Sequence, residues 1–165
     1  MRVYLPATLP VLQRLLDTGS LDDPPLPAFA VTGALREWYA EGDQEELEYA
    51  ALTLAARASL RLLDVDPDAP PRRAVVVAEV PDGAVIPAPA LDRGAVTVGA
   101  TVLLADVQSV HVDDPSAEAD VRAAVESVIA ADLGSEDAVF LMEQAEGHEL
   151  QWYATQELGP LLELS

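Results

Sequence analysis

The 165-residue chain has no cysteine and no lysine, and only 5% of it is aromatic. The absence of cysteine removes disulfides, thiolate zinc sites, iron–sulfur clusters and cysteine nucleophiles together. It also fits a reducing compartment. All nine basic residues are arginine; they face 29 acids, for a net charge of −20. Such a surface repels a phosphate backbone and has no basic stripe to offset that. Neither nucleic acid nor an anionic membrane is therefore an expected partner. No apolar run approaches the roughly 18 residues of a membrane span. The start, Met1 to Leu5, is interrupted at Pro6 and Pro10, unlike a signal peptide. Together these features predict a soluble, cytoplasmic protein.

Half of the residues are hydrophobic, which argues against disorder. A chain of this length buries roughly two-thirds of its unfolded surface and needs no disulfide or metal to fold. One domain over residues 1–165 is expected.

The pattern predicts a first strand at residues 2–5. A helix follows, capped by the Thr8 hydroxyl, with Leu9, Leu12, Leu15 and Leu16 on one face and Gly19 at its end. Residues 20–27 read as a Pro- and Asp-rich loop and 28–31 as a strand. Thr32 is a cap for a short helix through Leu35, Trp38 and Tyr39. Asp43 and Glu46 form the acidic version of a capping box. The longest helix follows them, with a broad apolar face from Leu47 to Leu62. Ala74–Val80 reads as a strand buried on both faces, because its apolar run is nearly continuous. Residues 81–94 read as a long loop, and 96–98 and 101–112 as strand with a turn near 104–107. Asp114-Pro115 opens a helix that stops at Gly134. Residues 139–144 and 149–155, flanking Gly147, predict a closing β-hairpin. The fold class expected is α+β: a largely antiparallel sheet packed by helices, with a ferredoxin-like unit as one form of it, ending in that hairpin.

Chemistry-bearing motifs are sparse. There is no Gly-x-Ser-x-Gly elbow and no phosphate-binding glycine loop. His111, Asp113 and Asp114 are the most site-like cluster and carry the residue types of a divalent-metal site. The same residues also read as structure, with Asp114 as an N-cap and Asp113 as first-turn charge. His148 reads as a solvated turn residue. Arg72-Arg73 reads first as an internal ion-pair hub, and Arg36 stands where it can stack on Trp38. No cofactor is expected.

Trp-Tyr-Ala occurs twice, at Trp38-Tyr39-Ala40 and Trp152-Tyr153-Ala154. These copies hold both tryptophans and two of the four tyrosines. Each ring has a large apolar face and a polar tip. The four residues are expected to brace the core, with a pocket-lining role as the alternative. The first copy reads as helix and the second as strand, which argues against internal duplication.

Residues 1–9, Ala34–Ala40, Val110–Asp114 and Trp152–Leu158 resemble a family of short actinobacterial proteins, a domain of unknown function. The resemblance implies a bacterial, cytoplasmic setting and transfers no catalytic residues. The leading functional expectation is a non-catalytic module that associates with itself, as a homodimer, or with another protein. The alternatives are a small-molecule binder or enzyme with a pocket lined by Trp38, Tyr39, Trp152 and Tyr153, and a divalent-metal protein using His111, Asp113 and Asp114.

Overall fold

A computed structural model describes residues 1–165. It is α+β, built on a seven-stranded sheet with helices on both faces. The strands, in chain order, are β1 (Arg2–Ala7), β2 (Ser20–Leu21), β3 (Leu26–Phe29), β4 (Ala74–Glu79), β5 (Val85–Pro87), β6 (Ala95–Val98), β7 (Val102–Leu103), β8 (Val107–Val112) and β9 (Gln151–Ala154). The helices are α1 (Leu9–Thr18), α2 (Gly33–Trp38), α3 (Gln44–Val65), α4 (Glu118–Asp132), α5 (Glu136–Glu146) and α6 (Leu158–Glu163). The main sheet runs β5-β6-β3-β1-β4-β8-β9, and β2 pairs separately with β7. Every ladder is antiparallel. This is the largely antiparallel sheet packed by helices that the sequence predicts.

Alternation along the strands sorts side chains to two faces. Val3, Leu5, Val76, Val110 and Val112 face α1 and α6, where Leu12, Leu15 and Leu158 close the largest core. Tyr4, Val75 and Val77 face α3 and meet Ala51, Ala55 and Ala56. These contact residues on α3 are alanines, so the helix lies close to the sheet. Its Leu60 and Leu63 join Val121 and Val128 of α4 and Met142 of α5 in a separate helical core. Strand β4 is buried on both faces, as its apolar run predicts.

The predicted caps are present. Thr8 accepts from the Val11 N–H, Thr32 from Leu35 and Asp43 from Glu46. Gly19 ends α1 at φ 80°, a left-handed conformation that L side chains rarely adopt. Ser59, on α3, is fully buried. Its hydroxyl donates to the Ala7 carbonyl at 2.7 Å and accepts from the Ala74 N–H at 3.2 Å, joining helix, β1 and β4. Ser59→Ala leaves both backbone groups short of a partner. A loss of about 1–3 kcal/mol is expected, read as a lower urea midpoint at unchanged m-value.

The predicted closing hairpin does not form. Glu136–Glu146 is helix α5, capped by the Ser135 hydroxyl and started by Glu136 and Asp137. Ala138, Met142 and Ala145 recur on its buried side. Only β9 is strand, and it pairs with β8. The loops predicted at 20–27 and 81–94 also carry short strands, β2, the start of β3, and β5. No helix is long and apolar enough to cross a membrane.

Candidate functional site

The aromatic residues mark one side of the molecule, above α3. Trp38, Tyr39, Tyr49 and Trp152 are 60, 44, 59 and 59% exposed. Three of the four residues expected to brace the core are thus open to solvent. Tyr153 alone turns inward and packs against the large core, on the opposite sheet face from Trp152. The two Trp-Tyr clusters therefore do not surround one cavity. Trp38 and Tyr39 line a concavity of about 960 Å³, and Trp152 lines a second of about 690 Å³. Glu45 and Tyr49 contribute to both.

The first concavity is built where α2 turns into α3. Carboxylates from Asp43, Glu45, Glu46 and Asp92 surround the rings of Trp38, Tyr39 and Tyr49. The Arg93 guanidinium lies over the Trp38 ring, 3.5 Å from its centroid. Its backbone is pinned there. The Thr32 hydroxyl donates to the Arg93 carbonyl, and Ala30 N–H donates to the Gly94 carbonyl at 2.9 Å. A Cβ at Gly94 would stand 2.9 Å from Leu54 Cδ1, the movable end of a side chain, and 3.4 Å from the Ala30 carbonyl oxygen. Arg36, which stands beside Trp38 in sequence, donates to Gln44 at 2.9 Å rather than stacking on the indole. Sequence distance hid Arg93, whereas Tyr49 had a signal: an aromatic residue off the apolar stripe of an amphipathic helix is placed for solvent.

The metal-site candidates are dispersed. The fully buried Asp113 carboxylate accepts from the Arg73 N–H, Nε and Nη2, each at 2.8 Å. The Arg72-Arg73 hub is thus half of a buried ion pair. Asp114 caps the turn that leads into α4 and accepts from the Ser116 N–H at 2.9 Å. That partner holds its carboxyl below the usual carboxylate range. His111 lies on the α3 side of β8, in the second concavity. Burial pushes its imidazole below the usual histidine value. No group of three or more His, Cys, Asp or Glu side chains is arranged around a common point. His148, read as a solvated turn residue, contacts Asp120 through Nε2 at 2.7 Å.

No curated protein and no solved structure matches the chain. A family model does match, over residues 1–162, and on that basis the chain belongs to DUF6912, a family of unknown function.

Proposed function

We propose that this protein is a non-catalytic cytoplasmic association module that captures an arginine- or lysine-bearing segment of a partner protein in the concavity of Trp38, Tyr39 and Tyr49. The observation that carries this reading is Arg93 on Trp38. The chain already places a cation on the electron-rich face of that ring, inside a wall of four carboxylates. A cation is attracted there by the ring quadrupole and by the acids together. The carboxylates of the concavity surround aromatic faces, an arrangement suited to holding a cation. Association with a basic partner also suits a chain of net charge −20. Docking two copies through this face would set carboxylates against carboxylates, which favours a heterologous partner over a homodimer.

Arg93 gives the reading a test with two opposite signs. A tetra-arginine amide peptide is titrated into the full chain and its affinity is read by calorimetry. Trp38→Ala is expected to weaken binding by about 3- to 30-fold, the worth of one cation–π contact. Arg93→Ala frees the ring and is expected to tighten binding beyond Arg122→Ala, which makes the same charge change on α4. Equal affinity for Trp38→Ala and the parent chain would mean that the peptide responds to net charge alone, and the reading fails.

A further inference from the structure

The second concavity differs in kind from the first. It lies between the amino-terminal turns of α3 and the end of the sheet at β8 and β9. On the other face of these two strands Val110, Val112 and Tyr153 pack into the large core. On this face Ser109, His111 and Trp152 are left under an opening of about 690 Å³, a size typical of small-ligand sites. Trp152 is the direct cross-strand neighbour of His111. Opposed Cβ atoms lie about 4.5–5.5 Å apart in such a pair, so the indole and the imidazole border the same space.

The polar groups here are mainly uncharged. Burial favours the neutral imidazole of His111, and no carboxylate or hydroxyl is paired with it. A neutral imidazole offers one donor and one acceptor. Burial also holds the Tyr4 phenol in its protonated form. The only cation in the lining is Arg2, and it is engaged, donating to Glu48 at 3.0 Å and to Gln108 at 3.1 Å. Glu45 and Glu48 add negative charge. An anionic ligand therefore finds repulsion and no free counter-charge. A flat ligand with an apolar face and a donor–acceptor edge finds a partner for each.

We propose that the cleft over His111 is a second site, which binds a planar, uncharged nitrogen heterocycle of one or two fused rings, stacked on Trp152 with its polar edge toward the His111 ring. The site shares Glu45 and Tyr49 with the cation-binding concavity, but its recognition groups, Trp152 and His111, belong to this cleft alone.

The test titrates adenosine, guanosine, cytidine and uridine separately into the full chain, following the Trp152 indole N–H and the His111 ring by NMR. At least one nucleoside is expected to shift both resonances saturably while the Trp38 indole stays still. The monophosphate of that nucleoside is expected to bind about tenfold more weakly, because it adds negative charge to an acidic cleft. His111→Phe keeps a ring of similar size and removes both nitrogens; a loss of about tenfold is expected. His111→Leu, which also removes both nitrogens and is expected to show the same loss, serves as the second variant if His111→Phe unfolds. Silence of both resonances toward all four nucleosides at about 10 mM overturns the proposal. So does equal affinity for the monophosphate, or a shift of Trp38 as large as that of Trp152.

Discussion

Asp113→Ala is expected to lower stability by about 3–5 kcal/mol, because it strands the buried Arg73 guanidinium. Both side chains are almost wholly buried, at 3 and 0% exposure. After the substitution Arg73 keeps one acceptor from this cluster, the His148 carbonyl at 2.8 Å from Nη2. The pair joins three chain segments: Arg73 precedes β4, Asp113 follows β8 and His148 precedes β9. For a chain of this length each kcal/mol is about 2–4 °C, so a fall in Tm of roughly 6–20 °C follows. The double variant Arg73→Met with Asp113→Leu separates charge from shape. Apolar replacement of a whole buried pair is often neutral or stabilising. Here the Arg73 backbone N–H also loses its acceptor, so the double variant is expected to recover to within about 1–3 kcal/mol of the parent. Double and single variants of equal instability would show that the stranded charge is not the cause.

Leu60→Ala is the second large effect. Leu60 is fully buried where α3 meets α4 and α5. That helical core is small, and its remaining members include three alanines that cannot expand into a void. Truncation removes transfer energy and leaves a cavity, together about 2–5 kcal/mol. Leu133→Ala, 84% exposed at the end of α4, is the contrast, expected within about 0.5 kcal/mol of the parent. Urea unfolding of both variants checks the pair. A Leu60 effect under about 1 kcal/mol would mean that the α4–α5 layer relaxes into the space.

Local signals were the most legible part of this fold. Thr8, Thr32, Asp43 and Ser135 each accept from a backbone N–H three residues on, a pattern readable from residue type alone. The Ser135 cap is masked in the sequence, because Val139-Phe140 looks β-prone in isolation. Tertiary packing of Ala138, Met142 and Ala145 settles that segment as helix. The short strands β2, β5 and β7 have two or three residues each, too few to show a period. At the candidate sites, residue type pointed to Trp38 and Trp152, but exposure is decided by partners distant in sequence. Arg93 over Trp38 and His111 beside Trp152 are juxtapositions made by loop and ladder, and no window of sequence contains them. The role of Asp113 is hidden for the same reason: its partner, Arg73, is 40 residues away in sequence.

The position of β1 has a kinetic consequence. It is made first, yet it lies inside the sheet, between β3 and β4. Arg2 must find Glu79, and β4 must then find β8. Closing such long loops loses entropy before any ladder contact compensates. Folding is therefore expected on the millisecond-to-second scale of non-local β topologies. During synthesis the apolar first strand emerges well before its β4 partner and waits unpaired. The acidic chain around it then has a role before the fold exists, keeping the unpaired strands of neighbouring copies apart.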